Sequence, residues 1–559
     1  MFTDLLQVWD AGRVPNLGTL CLLIAIAAIL LQQLSNATAQ KKHGGVPATF
    51  PHAIPFLGSL PIAYLWKPKD YVLNPGTFFQ AAHPVRVKIA TREFYAVHGP
   101  ENIKALFKAS ASCTALPFAK FVLGAAFGLH ACALRLYDRD DSGGGPAPHP
   151  DSAVEARNRI DYRTAQGLAT FLEGKGLPPF WRRFVEKATR QLHGFRERLG
   201  SGWEYADDLM KVVMDETTVS IVDALCGPHL LRLNPDFLRD FWVFDRHLQT
   251  YVQGVPRLFA PRAYAARDRV LNAVRVWQQY ARDNFTDAAL DADGDDPFWG
   301  SSFFRERQRV FLEMDGFDHA AVASEDFGAI WAMRNAVNSA AWAIFDIYRD
   351  PELLASVRAE VDGCAVKDAD GRIRFDIDQL LRLPVLQAVY AETLRLRMHF
   401  YIIRMSDRVD LNIQDWIIPR KKVVAIMTTV AHMDTKAWST GVNGEHPVDQ
   451  FWVGRFLTYP EKSGGVPGGQ ASSPTFSTKG LEGSWIPYGG GPRQCPGRHF
   501  AKRQILLTIA LMVSLFDCEI LGDGKDVQGD FTLNGFGGGV SHPAGKVPMR
   551  IRRRVDGVA

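Results

Sequence analysis

Tyr488–Gly497 reads YGGGPRQCPG, and Arg498–Phe516 continues RHFAKRQILLTIALMVSLF. The first stretch is too rich in glycine and proline for helix: glycine loses the most freedom on ordering, and proline lacks the N–H a helix needs. The second predicts a long helix, almost purely apolar from Ile505 to Phe516 and therefore buried. A cysteine just ahead of a helix start meets free N–H groups and the positive end of the dipole, which favour a thiolate. Glycines 489, 490, 491 and 497 let the backbone approach a flat ligand, and Arg493 can pair with an anionic group on it. Two other readings of Cys495 are a buried inert thiol and half of a zinc site with His499. The zinc reading lacks two further ligands at workable spacing, and an inert thiol would not need the glycine loop or Arg493.

Tyr488, Gly491, Arg493, Cys495 and Gly497 follow the pattern F-x-x-G-x-R-x-C-x-G, with tyrosine in the phenylalanine place. In this the chain resembles the cytochrome P-450 family. The resemblance implies a mainly α fold with small β-sheets in one large domain, and haem (heme b) as cofactor. Cys495 would be its axial thiolate ligand, Arg493 a propionate partner, and Tyr488, Gly491 and Gly497 part of the binding loop. A thiolate ligand pushes electron density to the iron and favours O–O cleavage.

Other segments extend the likeness. In AETLRLRMHF, Glu392 and Arg395 share one helix face. FWVGRF (Phe451–Phe456) resembles the segment whose arginine, here Arg455, completes a structural Glu–Arg–Arg network. Arg404, in YIIRMSDRVDL, stands where the branch containing cholesterol 7α-hydroxylase and prostacyclin synthase has an arginine meeting a haem propionate. An ordinary strand-end arginine is the alternative. Phe327–Glu352 (FGAIWAMRNAVNSAAWAIFDIYRDPE) resembles the long central helix that crosses the haem. Most members carry an acid–threonine pair there to deliver protons. One register here gives Asn335-Ala336 and another Asn338-Ser339, so Asn335, Asn338 and Ser339 are the catalytic candidates. They would otherwise be the polar stripe of a buried helix. The family's Trp-x-x-x-Arg element on the third helix is not found; Arg163 in IDYRTAQG stands near its place as a cofactor-binding candidate. Leu116–Leu129 is expected on the substrate side, or as ordinary core.

With 559 residues and 47% hydrophobic content, the chain has material for a large core, which excludes a disordered protein. A net charge of only +4 and the lack of a run of five like charges disfavour a nucleic-acid partner. Seven cysteines without a C-x-x-C fit neither a disulfide scaffold nor a zinc module, so the body reads as reduced and intracellular. Past residues 1–13, Val14–Leu34 is uncharged and close to the ~20 residues a bilayer requires. Lys41 and Lys42 follow it, and the positive-inside bias expects the bulk of the chain, residues 63–559, in the cytosol. The alternative is a signal peptide cleaved after Ala37-Thr38-Ala39. With a retained anchor the sequons at Asn36 and Asn284 stay unglycosylated. Residues 35–62, rich in proline and glycine, read as a stiff tether.

Strands are expected at Val85–Ile89, Phe94–Val97, Val409–Ile413, Trp416–Pro419 and Lys422–Met427. Helices are expected at Pro100–Ser110, Asn158–Leu172, Phe180–Leu199, Asp207–Leu225, Val270–Asp283, Glu325–Tyr348, Pro351–Val361 and Ile377–Met398. Asp138–Ser152 and Glu461–Ser484 read as surface insertions.

Three functions compete. The first is a membrane-bound monooxygenase of the endoplasmic reticulum, of the filamentous-fungal secondary-metabolite kind, oxidising a lipophilic small molecule. The chain has neither a G-x-G-x-x-G after a strand nor a Walker loop. Electrons would then come from a separate NADPH–cytochrome P-450 reductase, docking in part on Arg498, Lys502 and Arg503. The second is an isomerase or dehydratase acting on an oxygenated lipid without O₂ or reductase, which the missing threonine motivates. The third is a non-catalytic haem-binding protein.

Overall fold

The computed structural model describes residues 24, 26–28, 30–33, 45–51, 59, 63–89, 92–459 and 474–555. The expected membrane-crossing segment 14–34 falls mostly outside these residues. Among the described residues, no helix is long and apolar enough to cross a membrane. Most of the insertion expected at Glu461–Ser484 also lies outside them.

Val85–Ile89 (β1) and Arg92–Ala96 (β2) pair antiparallel, with Val87 opposite Phe94. The described part of the expected tether lies against this hairpin. Phe50 N–H donates to Arg86 O (2.7 Å) and Ser59 N–H to Lys88 O (2.7 Å), so residues 45–51 belong to the body of the fold and not to a free linker. Chain order continues with helix α1 (Pro100–Ala109), strand β3 (Cys113–Thr114), and helices α2 (Leu116–Ala125), α3 (Ile160–Leu172), α4 (Leu177–Arg198), α5 (Leu209–Cys226) and α6 (Phe237–Arg246). Then come α7 (His319–Trp331), α8 (Arg334–Arg349), α9 (Pro384–Arg397), β4 (Met398–Ser406), β5 (Val423–Met427), α10 (Arg498–Leu515) and β6 (Gly538–Val540). Six strands form the largest sheet, in the order β1-β2-β5-β4-β6, with β3 also pairing β4. β5 runs parallel to β2 and antiparallel to β4.

The core is helical. α8 is buried along nearly its whole length and packs against α5, α9 and α10. α10 is the apolar run read from the sequence, and Gln504–Leu515 is buried. An apolar helix without a polar face has no stable place but the interior.

Two expectations change. The single helix over Glu325–Tyr348 is two, because the chain breaks at Ala332-Met333. Met333 N–H reaches Ile330 O and Ala336 N–H reaches Met333 O, both tightened three-residue spacings. The helix over Ile377–Met398 is likewise two, Ile377–Leu380 and α9. Pro384 drives Leu383 into an extended conformation before the second begins. α9 stops at Arg397 because Met398–Ser406 is taken into the sheet between β5 and β6. Asp138–Ser152 lies at the surface as expected, most of its residues exposed, but it is tied down. Asp140 and Ser142 are buried, and the Arg159 guanidinium donates to Gly145 O (2.5 Å) and Pro146 O (2.7 Å), binding the loop to the start of α3.

Candidate functional site

The loop ahead of α10 closes on itself: Cys495 N–H donates to Tyr488 O (3.0 Å) and Gln494 N–H to Gly491 O (3.0 Å). Two anchors fix it to the core. The Tyr390 hydroxyl of α9 donates to the Tyr488 hydroxyl (2.9 Å), and Ile486 N–H donates to His432 Nε2 (3.1 Å). Gly490 and Gly491 have a more specific role than general backbone freedom. A Cβ on Gly490 would stand 2.3 Å from the Phe107 ring, and one on Gly491 2.5 Å from Phe107 O, with Gly491 at φ +68°. The loop can lie against α1 only because both side chains are absent.

Cys495 is accessible, yet protein surrounds it closely enough that burial pushes its thiol above the ordinary value. The Gly497 backbone and Arg498 pull the other way, as the reading of the helix start expects, but desolvation outweighs them. The sulfur becomes a thiolate when a metal cation binds it.

Arg404, on β4, reaches the same loop. Its Nη2 donates to Gly490 O (3.3 Å) and Arg493 O (3.1 Å), while its Nε is buried without a partner. Arg493 forms a two-pronged pair with Asp161 of α3, at 2.7 Å to each carboxylate oxygen. The Thr114 hydroxyl donates to Asp161 Oδ2 (3.0 Å). Asp161 escaped the sequence reading, although it sits two residues before the arginine that was considered.

Arg163 is not brought to this site. Two residues along a helix is ~200° of rotation, so it leaves the opposite face of α3 and pairs with Glu313 at 2.5 Å. It lines a separate cleft of about 740 Å³ with Phe303 and Arg309. Residues facing the loop recur along the other side, where Leu172 approaches Gly497.

Glu392, Arg395 and Arg455 meet as one unit. Arg395 donates Nε to Glu392 Oε2 (2.6 Å) and Nη2 to Oε1 (2.8 Å), and Arg455 Nη1 donates to Oε1 (2.5 Å). None of the three side chains has solvent exposure. Trp452 N–H adds a bond to Oε1 (2.9 Å).

Along the central helices, Gly328, Ala329 and Asn335 are half-buried and Ala332 is exposed, so packed protein leaves one stripe of α7–α8 uncovered. Leu123 and Phe127, from the Leu116–Leu129 stretch, lie beside Gly328, and Phe127 packs edge-on against Trp331. Asn335 Oδ1 accepts from Val540 N–H (3.0 Å) and from Arg334 (3.1 Å). The Ser339 hydroxyl donates back to Asn335 O (2.7 Å), and Asn338 is buried with both amide atoms unpartnered.

Among the basic residues of α10, Arg498 pairs with Glu173, and Lys502 donates to Gln387 (2.7 Å) over the Tyr390 ring. Arg503 bonds to His499 O. Among the described residues, no group of three His, Cys, Asp or Glu could hold a metal ion, which leaves the zinc reading without ligands.

The arrangement fits the haem that the sequence implied. A lone accessible sulfur shares its loop with Arg493, and Arg404 reaches the same loop from β4 with a buried donor still free; among the described residues no second metal ligand stands with the sulfur. Cys495 would hold the iron, and Arg404 and Arg493 would take the anionic edge.

Comparison with known proteins agrees with this geometry. The family model described as Cytochrome P450 matches residues 332–540. The chain is 33% identical over 545 residues to cytochrome P450 monooxygenase fsoE of Humicola fuscoatra, covering 93% of this chain and 91% of that protein. It is 30% identical to cytochrome P450 monooxygenase efuG of Hormonema carpetanum, covering 96% and 97%. Cytochrome P450 7A1 of Oryctolagus cuniculus is 26% identical over about half of each chain (51% and 53%). A solved cytochrome P450DA heme domain superposes with a TM-score of 0.55 at 15% identity, covering 84% of this chain and 90% of that one, a likeness of fold.

Proposed function

The chain belongs to the cytochrome P450 family, and we propose that it is a monooxygenase that hydroxylates or otherwise oxidises a lipophilic small molecule in secondary metabolism. Its electrons come from a separate NADPH–cytochrome P450 reductase at the endoplasmic reticulum membrane, with the catalytic domain in the cytosol. The observation that carries the reading is the convergence of Cys495, Arg404 and Arg493 on one loop of an otherwise apolar core.

Haem, when bound, supplies the oxygen chemistry; the chain supplies placement and exclusion of water. Cys495 would hold the metal from a loop locked by its own N–H bond to Tyr488 and by the Tyr390 hydroxyl on Tyr488. Arg404 and Arg493 neutralise the anionic edge, and Asp161 keeps Arg493 in orientation. Gly328, Ala329, Ala332, Leu123 and Phe127 offer a small-residue and aromatic wall, which suits an apolar substrate and leaves little room for water. Asn335 and Ser339 are the polar groups nearest that wall, and a water held by the amide could carry a proton.

Membrane attachment draws support from the uncharged Val14–Leu34 segment. Leu65, Trp66, Leu258 and Phe259 are also exposed on segments joined through the 531–536 loop. Large exposed apolar side chains on neighbouring loops suit a bilayer surface.

The same stripe favours a second reading. Glycine, alanine and asparagine occupy it where a carboxylate and an alcohol would serve oxygen activation, so an isomerase or dehydratase using an oxygenated lipid without reductase is the alternative. Turnover of candidate lipophiles, with and without reductase and with oxygen consumption followed, separates the two. NADPH- and reductase-dependent product supports monooxygenation. Turnover of a peroxide or epoxide in their absence supports the alternative.

A further inference from the structure

The break between α7 and α8 lacks the usual cause of a kink, since neither proline nor glycine lies at Ala332-Met333. A buried ionic cluster holds it instead. Arg334, 4% exposed, donates Nε to Asp245 of α6 (2.8 Å), Nη1 to Gly538 O (2.9 Å) and to Asn335 Oδ1 (3.1 Å), and Nη2 to Val540 O (2.7 Å). Asp245 also accepts from Trp331 Nε1 (2.7 Å) and lies 2.6 Å from His542 Nε2. The cluster thus ties α6, both sides of the helix break and the strand β6 to one point.

Its chemical consequence falls on Asn335. Val540 N–H and the Arg334 guanidinium are both donors, so only the oxygen of the Asn335 amide can face them, and the amide has one permitted orientation. The NH₂ group, with no partner among the described residues, is turned away from β6 on the partly exposed stripe that contains Ala332. Gly539 makes this approach possible. Its φ is +123°, and a Cβ there would lie 2.4 Å from Asn335 Oδ1 and 2.7 Å from Arg334 Nη1.

We propose that Arg334, Asp245, His542 and Gly539 are positioning residues that fix Asn335 as a hydrogen-bond donor toward the cavity. The site would then recognise an acceptor oxygen on its substrate or on a small ligand of the haem that Cys495 would hold, and would not present it with an acid. The inference rests on the haem-thiolate reading above.

The test uses the full-length holoprotein reduced under carbon monoxide, with the C–O stretch read by infrared and the Soret band read on the same sample. Asn335→Asp is near-isosteric, keeps both oxygen contacts and replaces the NH₂ donor with a carboxylate oxygen, so it should fold and move the stretch to higher frequency, as should the uncharged Asn335→Leu. Arg334→Lys and Gly539→Ala, which leave Asn335 in place but release its orientation, should move or broaden the band in the same direction while the thiolate-type Soret band persists. If Asn335→Asp moves the band and the other two variants keep wild-type frequency and width, the positioning role is overturned. If Asn335→Asp itself leaves the band unmoved, the amide does not face the cavity and the proposal fails. A wild-type carbonyl complex without the thiolate-type Soret band would instead overturn the haem-thiolate reading on which the inference stands.

Discussion

Replacing Glu392 with alanine removes the one anion shared by Arg395, Arg455 and the Trp452 N–H. Breaking a buried ion pair by deleting one partner costs about 3–5 kcal/mol, because the remaining charge is uncompensated. The stranded Trp452 N–H adds ~1–3 kcal/mol if water does not reach it. A domain is typically stable by ~5–15 kcal/mol, so Glu392→Ala should yield little haem-loaded protein and lower the urea midpoint of what remains. Order within the network makes the reasoning refutable. After Arg395→Met, Glu392 still has Arg455 at 2.5 Å and the Trp452 N–H at 2.9 Å, whereas after Glu392→Ala two guanidinium groups stand without an anion. Arg395→Met should therefore be the milder change, and Glu392→Gln, which keeps one acceptor, should also be milder than Glu392→Ala. The assay is haem per polypeptide, with the urea midpoint measured on the loaded fraction. Wild-type haem content in Glu392→Ala, or greater damage from Arg395→Met, would refute the account.

Four further outcomes are expected. Cys495→Ala should lose the thiolate-type band of the reduced carbonyl complex, and a wild-type band in that variant would sink the ligand assignment. Arg493→Ala should lower haem retention while Arg163→Ala leaves it unchanged, since the two arginines stand on opposite sides of α3; haem titration of the apoprotein compares them directly. Burial, aided by Arg395, lowers His432 to about 3 from the usual 6.5. The unfolded chain then takes up a proton that the folded chain refuses. Stability is fully present above pH ~6.5 and is lost as pH falls toward 3, by ~2 kcal/mol at pH 5 for this one group; His432→Gln should flatten that slope in urea titrations at pH 7 and pH 5. Deleting residues 1–40 should release the protein from carbonate-washed membranes while leaving weaker binding to neutral vesicles through Leu258 and Phe259, and Leu258→Ser with Phe259→Ser should abolish the remainder.

The cysteine loop and the helix after it were legible because their information is local. Glycine and proline exclude α-helix at Gly489–Pro492, where a single 3₁₀ turn begins, and an almost purely apolar run demands burial at Ile505–Leu515. The pair Glu392–Arg395 was legible for the same reason: three residues along a helix is contact distance. Arg455 required the resemblance, since nothing in FWVGRF points to a carboxylate 63 residues earlier in the chain. Other features gave no local sign. No strand is expected over His399–Ser406, because the pairing with β5 and β6 that makes β4 comes from residues far along the chain. Arg163 was chosen by its place in a motif, but helix rotation selects Asp161 for the loop side.

The sequence by itself determined the chemistry available here: one cysteine before a buried helix, the arginines that can meet an anion, and a central helix without its acid and alcohol. The tertiary structure alone decided which of these groups meet. Asp161 is brought to Arg493, Asp245 and His542 to Arg334, and Val540 to the Asn335 amide, across separations of roughly a hundred to more than three hundred residues. Spacing within a helix or strand is set by backbone geometry and can be counted. A contact between distant segments depends on which faces the whole core buries together, and that packing is a property of the folded chain and of no single stretch of it.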